Sequence, residues 1–162
     1  MAERSATLFH DIFTVDDVNP DGKKFDRVSR LVCKGETWDV LLKIDVASEV
    51  FPVKAGEKLA VAVVSTLRLD GEPDDGTYQH NEGEESLLDQ YDYGMHGRVF
   101  KYDYEEDDRV SVYASFGGLL MLLHGQQDSL SSLSLDQRVY CLIRRPKATT
   151  EGGAAGGGAG GR

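Results

Sequence analysis

Polar and apolar residues alternate over much of this chain. Trp38, Val40, Leu42, Ile44 and Val46 are apolar, and the residues between them (Asp39, Leu41, Lys43, Asp45) are mostly polar. A period of two marks a half-buried strand with one wet face. Leu59, Val61, Val63 and Leu67 repeat the pattern, broken only at Ser65, and Val110, Val112, Ala114 and Phe116 alternate with Ser111, Tyr113 and Ser115. Weaker strands are predicted over 8–15, 25–33, 95–102, 119–124 and 139–145. Turn chemistry separates the runs: Asn19-Pro20-Asp21-Gly22 precedes one and Lys54-Ala55-Gly56-Glu57 another. No stretch sustains a helical period, apart from one short turn predicted over 86–91, with Ser86 as its cap and Asp89 three residues on. Eight short antiparallel strands joined by polar turns make an all-β domain, either a sandwich or a barrel. Its expected inward rows are Trp38, Val40, Leu42, Ile44 and Leu59, Val61, Val63.

Composition adds the domain layout. The 162 residues are 40% hydrophobic and 28% charged, ordinary for one globular domain that buries its core without disulfides or a structural metal. That domain is expected over 1–147. Within it, 70–92 is a long connection rich in Gly, Asp and Glu, expected to be mobile and to bury few side chains. Residues 148–162 form a Gly/Ala-rich tail, expected to be flexible. The formal charge of −10 is concentrated in two places. Nine acids and no Lys or Arg fall in 70–92, and five more acids fall in 103–108. Without those, fourteen acids face eighteen basic residues, a net charge of +4. A mildly basic body with two acidic appendages does not wrap a phosphate backbone by charge alone, although local contact through the basic part stays open.

Other classes lack their signatures. Apolar runs such as 119–123 are too short to span a membrane, and no charged-then-apolar leader opens the chain. A secreted, membrane-spanning or collagen-like protein is therefore not expected. Two cysteines, Cys33 and Cys141, are too few for a disulfide scaffold and fit a reducing compartment. Phosphate-cradling and dinucleotide motifs are absent. A calcium loop starting at Asp70 needs Gly at 75 and Glu at 81, where the chain has Asp75 and Asn81. Cys33, Cys141, His96 and His124 are zinc-ligand types without zinc-ribbon or zinc-finger spacing, and no nucleophile elbow accompanies them. No metal, no cofactor and no catalytic residue are expected.

Two features suggest binding. Tyr102 and Tyr113, with Phe100 and Phe116 nearby and Arg98, Lys101 and Arg109 interleaved, have the residue mix of a single-strand stacking platform. The plainer reading makes Phe100 and Phe116 core and the tyrosines rim residues. In the second feature, Gly117 and Gly118 interrupt what reads as one long strand, and the five residues after them are all apolar. Glycines there mark a bulge, a corner or the close approach of another backbone. An all-apolar strand needs cover on both faces, so in a small barrel the outer face invites another chain.

The sequence also resembles a family. Asp11-Ile12-Phe13, the run from Asp21 to Arg30 (DGKKFDRVSR) and Ser115-Phe116-Gly117-Gly118-Leu119-Leu120-Met121 are similar to the eighth shared subunit of eukaryotic nuclear DNA-directed RNA polymerases I, II and III. Supporting matches are Phe51-Pro52-Val53, Ser65-Thr66-Leu67, Leu69-Asp70-Gly71 and Asp136-Gln137-Arg138-Val139-Tyr140. The resemblance runs from about residue 8 to 145 and departs at the acidic 82–85 and 103–108 segments and at the tail. It implies a single eight-stranded antiparallel barrel built from two incomplete oligonucleotide-binding (OB)-like halves, with the long acidic loop between them. It further implies a non-catalytic nuclear subunit that packs on the largest polymerase subunit and on other polymerase subunits. The expected contact residues are Tyr93, Met95, Gly97, Phe116, Gly117, Gly118, Leu120 and Met121. The alternative from the fold alone is a free single-stranded nucleic-acid-binding module using Arg98, Lys101, Tyr102 and Tyr113.

Overall fold

The computed structural model describes residues 7–19, 27–67 and 87–146. The expectations for most of the 70–92 connection and for the tail lie outside these residues. Eight strands are present: β1 (Thr7–Val18), β2 (Val28–Gly35), β3 (Leu41–Ala47), β4 (Lys58–Val64), β5 (Tyr93–Tyr104), β6 (Arg109–Phe116), β7 (Leu119–Gln126) and β8 (Arg138–Arg144). All neighbours pair antiparallel, and the ring closes in the order β1-β2-β3-β7-β6-β5-β8-β4, with β4 back on β1. Of the two all-β architectures, the chain adopts the barrel. Closure leaves no edge strand to aggregate. The helices among the described residues are three single 3₁₀ turns, one of them, Leu87–Gln90, where a helical turn is predicted.

The ring divides into two halves of equal order. Read from β4, the first is β4-β1-β2-β3; read from β8, the second is β8-β5-β6-β7. In each, three consecutive strands pair in sequence order and the fourth lies beside the first, a Greek-key order. The β3–β7 and β4–β8 ladders join the halves. Tyr93 adds a further tie: its ring stacks on Phe51 at 5.3 Å, and its hydroxyl accepts the Ala47 N–H at 3.0 Å.

The interior is filled by the alternating rows. Val40, Leu42, Ile44, Leu59, Val61 and Val63 are all buried. Trp38 is not: its side chain is 46% exposed, and the residue precedes β3 in a turn. The reason lies on β1. Asp11, 2% exposed, occupies the inward row between Phe9 and Phe13, and its carboxylate accepts N–H groups from Ile12, Thr37 and Trp38 at 2.8, 3.1 and 2.9 Å. These bonds curl the 36–40 backbone over the end of the barrel, which turns the indole outward. Gly35 makes room, since a Cβ there would lie 2.6 Å from Asp11 Oδ2. Replacing Asp11 by Ala removes the acceptor of these three part-buried N–H groups and is expected to cost about 3 kcal/mol, or about 6–12 °C in Tm, with Asn recovering part of the loss. Thermal unfolding of the two variants checks this.

A second apolar layer lies outside the barrel. Ala62, Val64, Tyr140 and Leu142 are outward residues of β4 and β8, yet they are buried with Leu67 beneath Leu88 and Tyr91. Both faces of β4 are therefore covered, which its sequence LAVAVV from Leu59 to Val64 permits.

Candidate functional site

β6 and β7 form a two-residue hairpin, so the 116–121 segment is two strands and not one. Phe116 and Leu119 pair across the turn, and Gly117 and Gly118 have φ of +66° and +104°. Two consecutive positive φ values characterise the tight turn whose twist suits a hairpin, and glycine reaches them without strain. The glycines are a corner, and a Cβ at either would meet nothing within 4 Å. Gly97 is different. A Cβ there would lie 1.9 Å from the Ser115 carbonyl oxygen and 2.7 Å from the Phe116 ring. The close approach at Gly97, one of the expected contact residues, is thus made by the chain's own β6.

The expected contact residues separate by face. Tyr93, Met95, Phe116 and Met121 are buried in the barrel core, whereas Gly117, Gly118 and Leu120 are exposed. The apolar run after the glycines divides the same way: Met121 and Leu123 point in, while Leu120 and Leu122 point out, Leu120 being 42% exposed. Nothing in the described chain covers that outer side fully.

Neighbouring strands extend it. One rung crosses four strands as Lys101–Tyr113–Leu122–Lys43, and another runs Arg98–Ser115–Leu120. Phe100 joins them through a β-bulge: the register slips between Val99 and Lys101, which leaves Phe100 as the extra residue, 47% exposed. Its ring lies 6.1 Å from Tyr113, and the Lys101 ammonium sits 5.2 Å above Tyr113. Placing Phe100 in the core is therefore corrected: it keeps the outward parity of His96 and Arg98, and the bulge brings Lys101 to the same side. The same slip turns Tyr102 inward, half-buried against the core, and burial pushes its hydroxyl pKa up. Arg98, Lys101 and Tyr113 thus share the outer face, and Tyr102 does not, so the four do not form one stacking platform. At the far side, Asp45 anchors the stripe. It takes a two-point bond from Arg30 (2.7 and 3.0 Å) and the Leu120 N–H at 3.0 Å.

The zinc-ligand types are divided by the barrel wall. Cys33 and Cys141 are wholly buried inside, and burial pushes both thiols up to about 12. For Cys33, the nearby Asp16 charge adds to the effect. His96 and His124 are on the outside, His96 against the Tyr140 ring at 4.5 Å. A thiol held protonated on the opposite face from the imidazoles cannot share a metal with them. Among the described residues, no three His, Cys, Asp or Glu side chains gather into a metal-holding group.

A polar cluster at the β5–β6 end went unread in the sequence. Ser111 Oγ donates to Glu105 at 2.7 Å and lies 2.9 Å from His124 Nδ1, while Arg109 Nε donates to His124 Nε2 at 3.3 Å. One proton arrangement satisfies all three bonds: His124 is neutral, accepts at Nε2 and donates from Nδ1 to Ser111. A general base must accept the serine proton, and this imidazole donates to that oxygen instead. The cluster ties the acidic hairpin loop to β7. Alternation set Ser111 apart from the inward Val110 and Val112 but could not show that the register sets it opposite His124.

Arg145 forms a comparable clasp at the end of β8. Its guanidinium bonds Glu57 at 2.8 Å and the Pro52 carbonyl, and lies 4.5 Å from the Phe51 ring centre. The Arg145 hydrogen bond is the chief cause that holds the Glu57 carboxyl below its ordinary pKa.

The described residues thus form a closed barrel of two Greek-key halves with an uncovered apolar stripe on its outer face. The profile of the family described as RNA polymerase Rpb8 matches residues 10–145. The chain belongs to the RNA polymerase Rpb8 family. Its relatives agree. It is 46% identical over 143 residues to the Dictyostelium discoideum protein named DNA-directed RNA polymerases I, II, and III subunit rpabc3, which covers 87% of this chain and 99% of that one. It is 42% identical over 141 residues to Arabidopsis thaliana DNA-directed RNA polymerases II, IV and V subunit 8B, covering 85% of this chain and 95% of that one. For the Saccharomyces cerevisiae subunit RPABC3 of polymerases I, II and III, identity is 38% over 148 residues, with 87% and 99% covered. The family match spans every strand from β2 to β8 and most of β1, so the Rpb8-family region of this chain is the barrel itself.

Proposed function

We propose that this chain is a non-catalytic shared subunit of nuclear DNA-directed RNA polymerases. In this reading it supports the assembled enzyme by docking the outer face of β5, β6 and β7 on the largest polymerase subunit. The observation that carries the docking is the stripe of Phe100, Tyr113, Leu120 and Leu122, apolar or aromatic side chains left outside a barrel whose interior is already full. A contiguous apolar patch of this kind, rimmed here by Lys43, Arg98 and Lys101, is typical of a subunit surface. The relatives' names support the assembly. A free single-strand binder is disfavoured, because its four residues divide between two faces. Affinity-tagged chain purified from nuclei of its own cells should bring down the large polymerase subunits in equal amounts. Recovery of the chain without them overturns the proposal.

A further inference from the structure

The apolar stripe of the outer face carries a cation at each side. One rung crosses it as Lys101–Tyr113–Leu122–Lys43, so two large side chains lie between two ammonium groups. Lys43 is exposed, and its side chain makes no ion pair or hydrogen bond among the described residues. Asp45, two residues further on the same strand face, does not neutralise it. The Asp45 carboxylate is occupied by Arg30 (2.7 and 3.0 Å) and by the Leu120 N–H at 3.0 Å. Lys101, at the other side, holds its ammonium 5.2 Å from the Tyr113 ring centre and so over the stripe. Its pair with Asp103 spans 3.5 Å between two half-exposed side chains, an arrangement that adds little in water. In a chain of net charge −10, two cations bracketing an apolar stripe are a local inversion of charge, and they select a partner with carboxylates at matching places.

Topology and width set the shape of that partner. The described strands close into a ring, so none offers an edge for strand addition, and contact must be made through side chains. Three inter-strand steps separate Lys43 from Lys101, about 14 Å. An extended segment is too narrow to meet both, whereas an α-helix with its side chains is about 10–12 Å across. We infer that the stripe receives an amphipathic helix of its partner, apolar toward Tyr113, Leu120 and Leu122, with an Asp or Glu on each flank, one facing Lys43 and the other Lys101. The inference rests on the docking proposed above and names the partner element that fits it.

Two double variants of the tagged full-length chain test it: Lys43→Gln with Lys101→Gln, and Lys43→Glu with Lys101→Glu. Both remove the same two ammonium groups, so the difference between them reads the added carboxylates. Tm of the free variants should stay within about 3 °C of wild type. Recovery of the large polymerase subunits should fall about threefold with the Gln pair and about thirtyfold with the Glu pair. In assembled wild-type polymerase, a zero-length carbodiimide reagent should join Lys43 and Lys101 to carboxylates of one partner segment, about two or five residues apart, a spacing that sets them on opposite sides of a helix. Equal recovery with the Gln and Glu pairs, or cross-links to separate segments or to none, overturns the inference. If both pairs recover polymerase as wild type does while Phe100→Glu with Leu120→Glu loses it, the docking stands and the acid-flanked helix falls. If that last variant also recovers polymerase normally, both readings fall.

Discussion

Gly97→Ala is expected to destabilise the chain by at least about 3 kcal/mol and to abolish its folding at physiological temperature if the wild type is of ordinary stability. The added methyl would lie 1.9 Å from a backbone oxygen of β6, and no rotamer relieves a clash made by Cβ itself. The strands would have to part where Phe116 fills the space above Gly97. Gly94, three residues earlier on β5, supplies the control. Its Cβ would first meet the tip of Leu88, a flexible side chain near the surface, so Gly94→Ala should cost less than about 1 kcal/mol. Chemical denaturation of both variants decides the matter. A Gly97→Ala protein as stable as wild type would mean that the β5–β6 register is not as described.

The second large effect concerns assembly and leaves folding almost untouched. Phe100 and Leu120 are 47% and 42% exposed, so replacing both by Glu should change the stability of the free chain by less than about 1 kcal/mol. If the stripe docks on the largest polymerase subunit, each position loses the burial of a large apolar side chain, about 1.5–3 kcal/mol, and places a carboxylate in the interface. Recovery of polymerase with the tagged double variant should then fall at least about tenfold. Normal recovery with the double variant would remove the stripe from the interface. Leu120 is a better probe than Gly118, because φ of +104° strains any side chain at Gly118 whether or not a partner is near.

Much of the fold was legible because β-structure writes its burial into alternation. The strand runs, the all-β class and the inward rows Val40–Ile44 and Leu59–Val63 follow from one-face burial at period two, which needs no knowledge of neighbours. The uncovered side of the 119–123 run was legible for the same reason. An all-apolar strand on a barrel has one face that the interior cannot cover, and Leu120 and Leu122 are that face.

Tertiary structure decided whatever depends on register, backbone conformation or long-range pairing. One extra residue at the β5 bulge reverses the parity beyond it, sending Lys101 out and Tyr102 in, and a composition rule cannot see an insertion of one. Trp38 left its row because a buried carboxylate 27 residues earlier captured its backbone N–H. The glycines at 117–118 and at 97 looked alike in sequence, yet the first pair answers a positive φ and the last answers a carbonyl of its own chain. The Ser111–His124 pairing and the rung from Lys101 to Lys43 likewise exist only once strands far apart in sequence lie side by side. Alternation is a property of each strand alone and can be read locally, whereas what a side chain faces across a ladder is fixed by pairing, which closes only with the barrel.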